Sequence, residues 1–307
     1  MINIICTIDN NYVQHCGVMI CSVLSNIKDE EVHFTIINNG LESSLKNQLK
    51  KIIHDFQQHV SFLKVDEDQL KGAMVSCHVS LATYYRLLIP ELIDDTIDKV
   101  LFLDSDIIVR ANINELWNIN IDNSTHAAAV NPNISPGFKA NLGIAADNSY
   151  FNAGVMLINL KAWRELEITI KAIDFINQYP ERITFWDQDV LNYLLYQSWT
   201  KLEPIWNAQE AIFNNNFTAE ELGYKKDEYN QARNNPRIVH FTGAGYCKPW
   251  YYHCQHPFKQ EYYAYLKKTP WRNFRPLGEP SLKSKLKSKA ISYFALLKNN
   301  FITINKK

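Results

Sequence analysis

The sequence predicts an α/β fold, a mostly parallel sheet flanked by helices, and three observations carry that prediction. Short apolar runs alternate with amphipathic stretches through the first half of the chain, as strands alternating with crossover helices do. With 46% hydrophobic residues in 307, the chain can bury a large core, and 21% charged residues is too few for a disordered chain. There are no internal repeats or low-complexity linkers, and composition shifts only at Pro276–Pro280.

In chain order, Ile2–Ile8 reads as a buried strand, and a helical pattern runs from about Tyr12 to Ile27. Val32–Ile37 is a second strand, Leu45–Phe56 a helix, Val60–Val65 a third strand and Ser80–Leu88 a helix. Val100–Leu103 is short and wholly apolar, as a covered central strand should be. Ala127–Val130, Gly154–Leu160 and Arg237–Phe241 are expected as further strands, with helices over Lys161–Gln178 and Asp187–Tyr196. In such sheets ligands bind beyond the carboxyl ends of the strands. Neither GxGxxG nor GxxxxGK[ST] is present, so dinucleotide and P-loop chemistry lose their usual signature.

The formal net charge of zero conceals an uneven layout. From Ser281 on there are seven lysines and no acid, which leaves 32 − 7 = 25 basic against 32 acidic residues upstream. A mildly acidic body is a poor general binder of nucleic acid, and no nucleic-acid partner is expected. The six cysteines form no CxxC pair and are expected to be reduced thiols. Cys247, His253, Cys254 and His256 are spaced irregularly for zinc, and an aromatic-rich packed turn is the simpler expectation. No signal peptide and no membrane-spanning run are visible, so a cytoplasmic protein is expected.

Chemistry concentrates in a few segments. Asp104-Ser105-Asp106 follows the strand Val100–Leu103 directly, and two carboxylates there can turn toward one hard divalent cation that also grips phosphate oxygens. The competing reading is a solvated strand end. His240-Phe241-Thr242-Gly243 ends another strand, with Lys248-Pro249-Trp250 beyond it. His240 can add a nitrogen ligand to the same cation, and Lys248 can neutralise phosphate charge. Trp186-Asp187-Gln188-Asp189 opens a helix after Tyr150-Phe151-Asn152-Ala153-Gly154, and its acids and amide suit sugar hydroxyls as well as they suit a helix cap.

Taken together and in their order along the chain, these four motifs resemble the family 8 glycosyltransferases, which include bacterial lipopolysaccharide galactosyl- and glucosyltransferases, over roughly residues 1–270. The resemblance implies a GT-A fold, a UDP-hexose donor held by Mn²⁺ (or Mg²⁺), and transfer to a saccharide with retention of configuration. It implies that Asp104, Asp106 and His240 bind the metal, with Ser105 between the two acids. Asp9, Asn11 and Tyr12 would hold uridine; Arg86, Gly243 and Lys248 would belong to the donor site. Asn152, Ala153 and Asp187 would contact the sugar, with Gln188 near the anomeric carbon and Asp189 as the alternative reactive group. In the family two residues separate the glycine from the lysine; here four do.

The chain is expected to divide into a catalytic unit, 1–275, and a basic amphipathic tail, 276–307. In the tail, Leu282, Leu286, Ile291, Phe294, Leu297 and Phe301 recur at helical spacings between lysines. That stripe suits an anionic membrane surface, each lysine adding about 1 kcal/mol, and so predicts a peripheral protein on the inner face of the plasma membrane acting on a lipid-linked acceptor. Two other readings compete at this point. A haloacid-dehalogenase-like phosphatase also places DxD after an apolar strand, and a non-catalytic nucleotide-sugar-binding protein would need the same pocket.

Overall fold

The computed structural model describes residues 1–75 and 80–281, so the tail helix expected over 282–307 lies outside the described residues. The strands are β1 (Ile2–Ile8), β2 (Val32–Asn38), β3 (His59–Lys64), β4 (Lys99–Leu103), β5 (Ile107–Val109), β6 (His126–Val130), β7 (Phe151–Asn159), β8 (Trp199–Leu202), β9 (Ala208–Gln209) and β10 (Ile238–His240). Seven of them form one sheet in the order β3-β2-β1-β4-β7-β6-β8, and β5-β10-β9 form a second, small sheet. In the large sheet β1–β2, β2–β3, β1–β4 and β6–β8 run parallel, while β7 is antiparallel to both β4 and β6. The sheet is mostly parallel and flanked by helices, as the alternation predicted.

Both faces are covered, which is why its strands read as continuous apolar runs. On β1, Ile4, Cys6 and Ile8 face one apolar cluster and Ile5 the other, each at most 1% exposed. Leu101 and Leu103 against Val100 and Phe102 repeat the alternation on β4. Full burial of one such side chain is worth about 1.5–3 kcal/mol, an upper bound because unfolded chains are already partly compact. The helix Val13–Leu24, buried along almost all its length, packs between the sheet and the helices Ser43–Asp55 and Lys259–Leu266.

Several elements differ from expectation. The helix expected over 161–178 is two helices, Leu160–Glu165 and Ile168–Gln178, broken at Glu167, which has φ 53°. The first is pinned by Arg164, whose guanidinium donates to the carbonyls of Pro90, Ile93, Asp94 and Ile97, and the second starts a new buried face at Ile168. The segment Leu81–Leu88 is a 3₁₀ helix, in which Tyr84 through Leu88 are all buried. β7 begins three residues earlier than expected, so Asn152, Ala153 and Gly154 stand on a rigid strand.

The chain moves outward from β1 to β2 and β3, then returns to place β4 on the other side of β1. That reversal opens a crevice at the carboxyl ends of β1 and β4. Asp104-Ser105-Asp106 is the link by which the chain leaves β4 and enters β5 of the small sheet. β10 pairs antiparallel with β5 and sets His240 opposite Ile107, which carries the imidazole to the same place.

Candidate functional site

A cleft of about 380 Å³ occupies that crevice. Asp9, Tyr12, Arg86, Asp104, Ser105, Asp106, Asn152, Ala153, Asp187, Gln188, His240 and Lys248 all line it. Asn11, Asp189 and Gly243 are not part of the lining. The exposed Asn11 instead donates its backbone N–H to Asp9 Oδ1 at 2.8 Å and so shapes the loop between β1 and the following helix. Gly243 packs where a Cβ would meet Cys247 Sγ at 2.6 Å, beside the lining residue Thr242.

The ligand atoms of Asp104, Asp106 and His240 lie within 4.8 Å of one another. His240 Nε2 is 3.2 Å from Asp106 Oδ1 and 3.7 Å from Asp104 Oδ2. Its Nδ1 faces Asn207 Oδ1 at 2.9 Å, and Asn207 donates its own amide to Asn152 Oδ1 at 2.8 Å. Asn207 Oδ1 is therefore the acceptor, the proton sits on Nδ1, and the Nε2 lone pair points at two carboxylates. A lone pair and two anions converging in a mostly buried spot are the donor set of a hard-to-borderline divalent cation, and the residues fit one.

Two cations of the chain itself border this group. Lys248 Nζ pairs with Asp106 Oδ2 and donates to the Phe241 carbonyl at 2.5 Å. The four-residue spacer before it is taken up by a turn of 3₁₀ helix, Gly245–Cys247, so the lysine still reaches the cleft. Burial works against the charge on Asp106, but the Lys248 ammonium outweighs it and holds this carboxyl well below the usual range. Arg86, 5% exposed, donates to Asp104 Oδ1 at 2.8 Å and to the Ala153 carbonyl at 2.6 Å, and its Nε lies 2.8 Å from Asp187 Oδ2. Burial pushes the Asp187 carboxyl up to about 6, against the pull of Arg86 and of the Thr83 hydroxyl, which donates at 2.5 Å.

In the same cleft Tyr12 stands edge-on to Trp250, with ring centroids 6.0 Å apart. His15 stacks on Trp250 at 3.6 Å and is bonded through Nδ1 to Tyr262 Oη at 2.7 Å. The aromatic wall behind Tyr12 is thus built from the Lys248-Pro249-Trp250 motif. Burial, helped by Asp106, raises the Tyr12 hydroxyl above its ordinary value, so it is a neutral ring.

Asp189, paired with Asp187 in the sequence reading, requires a correction. It is completely buried, and its carboxylate accepts from the backbone N–H groups of Thr184 (2.7 Å) and Phe185 (2.6 Å) and from the Tyr150 hydroxyl (2.5 Å). Residues two apart on a helix point in nearly opposite directions, so only one of the two acids faces the cleft. Sequence reasoning missed Asn207, which no motif marks. It also passed over Gly154 as a site residue, although a glycine inside an apolar strand signals close approach. A Cβ there would lie 2.2 Å from His240 Cε1 and 2.6 Å from Asp104 Oδ2.

Comparison with known proteins agrees with this geometry. The model of the family described as glycosyl transferase family 8 matches residues 3–254. General stress protein A of Bacillus subtilis (strain 168) is 36% identical over 286 residues, 92% of this chain and 98% of that protein. The lipopolysaccharide 1,3-galactosyltransferase of Salmonella typhimurium (strain LT2) is 29% identical, over 88% of this chain and 79% of that one. A crystal structure of the galactosyltransferase LgtC with donor and acceptor sugar analogues superposes with a TM-score of 0.78 at 25% identity, covering 88% of this chain and 96% of that one. The phosphatase and non-catalytic readings find no support among these relatives.

Proposed function

The chain belongs to glycosyl transferase family 8, and from that premise we propose that it moves galactose or glucose from a UDP-sugar to a saccharide acceptor of the cell surface, with retention of configuration. It is a metal-dependent glycosyltransferase with the GT-A fold. The observation that carries the finer reading is the convergence of Asp104, Asp106 and His240 in the switch-point cleft, with Lys248 and Arg86 beside them.

Asp104, Asp106 and His240 would hold Mn²⁺. Bound there with the nucleotide, the cation would offset the negative charge that builds on the departing diphosphate. Lys248, poised on Asp106, adds a second positive charge on the same side and removes the need for a strong general acid. Tyr12 offers a ring face for uracil, with Asp9 alongside, and Trp250 prevents it from swinging away. Arg86 braces Asp104 against Asp187 and so fixes the wall between the phosphate and sugar ends of the cleft. Asn152, Ala153, Asp187 and Gln188 border the sugar end.

Among the described residues no helix is long and apolar enough to cross a membrane. A lipid-linked acceptor reached from the inner membrane face, through the lysine-rich segment 282–307, is the reading that the sequence supports. The test is a UDP-release screen across UDP-sugars with and without Mn²⁺. UDP-galactose or UDP-glucose should be turned over only with the metal; full activity after exhaustive chelation would overturn the assignment. Deletion of residues 281–307 should abolish binding to anionic vesicles and leave turnover of a soluble acceptor intact.

A further inference from the structure

We infer that Tyr150 and Asp189 are positioning residues that fix the amide of Gln188 so that it meets the bound sugar only as a hydrogen-bond donor. The reading rests on the proposed hexosyl transfer and deepens it.

The polarity of the contacts can be followed atom by atom. Asp189 Oδ2 receives the backbone N–H groups of Thr184 and Phe185, and Oδ1 receives the Tyr150 hydroxyl at 2.5 Å. Both residues are buried, Tyr150 at 2% and Asp189 at 0% exposure. A phenol has one proton. Since Asp189 takes it, the Tyr150 oxygen can only accept, and what it accepts is Gln188 Nε2–H at 3.2 Å. At the opposite end of the amide, Gln188 Oε1 receives the backbone N–H of Ala153 at 3.0 Å and Asn152 Nδ2–H at 3.1 Å. The Ala153 N–H is an obligatory donor, and Asn152 Oδ1 is already occupied by Gly154 N–H and Asn207 Nδ2. Each end of the amide therefore demands the same orientation.

An amide offers two N–H groups and two lone pairs. Both lone pairs and one N–H of Gln188 are engaged, and the remaining N–H is all it keeps for a ligand. Gln188 lines the cleft. It would therefore hold the sugar by donating to a ring or hydroxyl oxygen, and its carbonyl would not approach the reacting carbon as a nucleophile.

Two near-isosteric substitutions test the relay. Tyr150→Phe removes the acceptor for Gln188 Nε2 and should lower kcat on the order of ten-fold, with the donor KM within about two-fold. Asp189→Asn must give its oxygen to the Thr184 and Phe185 N–H groups, so its amide donates to Tyr150. The phenol proton then turns toward Gln188 and opposes its N–H. That should cost about 100-fold in kcat. Adding Tyr150→Phe to Asp189→Asn removes the opposing proton and should raise kcat back to the level of Tyr150→Phe alone. Additive losses, or unchanged kcat in Tyr150→Phe, would overturn the inference. UDP affinity should stay within about two-fold throughout, which separates this role from a general loss of structure. The side-chain ¹⁵N resonance of Gln188, assigned with Gln188→Ala, should shift in Tyr150→Phe with no substrate present. An unmoved resonance refutes the relay, whereas absence of transfer by the wild-type enzyme refutes the proposed function.

Discussion

Gly154→Ala adds one methyl group at the point where the two sheets meet the candidate metal ligands. Its Cβ would fall 2.2 Å from His240 Cε1, 2.6 Å from Asp104 Oδ2 and 2.9 Å from His240 Nδ1. Relaxed contacts of this kind lie at about 3.5–4.0 Å, so the two ligands must withdraw by about 1 Å or more. Neither has an easy retreat. Asp104 is tied to this strand by its own N–H, which donates to the Gly154 carbonyl at 2.8 Å, and His240 is tied to Asn207 at 2.9 Å. Misplacement by about 1 Å at a reacting centre costs on the order of 10²-fold in rate, and disturbed ligand orientation about 10–100-fold in metal affinity. Overpacking adds about 1–3 kcal/mol of destabilisation, a fall of a few °C in Tm. UDP release titrated with Mn²⁺, beside a melting curve, reads all three. A variant with wild-type rate and wild-type half-saturation for the metal would refute the account of how the ligands are held.

Other expectations follow from the same contacts. Lys248→Met removes the cation that pairs with Asp106 and should raise the donor KM about ten-fold or more, read from initial rates at saturating metal. Arg86→Met leaves buried Asp187 without its partner and should cost about 3–5 kcal/mol, seen as a lower urea midpoint. Stability should also fall with acid. Burial lowers His15 and His126 to about 3 and His256 to about 4, so in the native state they stay neutral where unfolded histidines take up protons. Their contribution is whole above pH ~6.5 and is lost as pH drops toward those values. Between pH ~7.5 and ~5.5 each costs about 1.4 kcal/mol. Asp187, raised to about 6, works in the opposite sense and returns about 1 kcal/mol, less than the three rings together cost. Urea midpoints that stay level over that range would contradict the burial of these rings.

Much of the fold was legible because burial on both faces writes itself into sequence as apolar runs: β1, β2 and β4 were found almost to the residue. β5, β8 and β9 were not, being three, four and two residues long, too short for periodicity to register. With β5 and β9 went the small sheet, and so the reason why His240 reaches the acids could not be seen. Asp104, Asp106 and His240 came together as anticipated because Asp104 and His240 stand at the ends of strands that are easy to recognise and Asp106 is two residues from the first of them. Asn207 escaped notice because an asparagine between Trp206 and Ala208 acquires meaning only from the pairing of β9 with β10. Asp189 looked like a twin of Asp187 in sequence, and only the direction of the helix separates a cleft acid from a buried one.

The candidate cation ligands come from both sheets, Asp104 following β4, His240 ending β10 and Asp106 lying in the link that leads from β4 to β5. An ion held between them acts as a clasp across the seam. Without metal and nucleotide the seam is still tied by the Lys248–Asp106 ion pair and by the hydrogen bonds of Asn207 to Asn152 and of Gln209 to the Val130 carbonyl, and bound ligand should slow its local opening further. At a ligand concentration 100 times Kd the gain is about 2.7 kcal/mol. A cell rich in the sugar nucleotide would thus keep more of this enzyme intact, its lifetime following the supply of what it consumes.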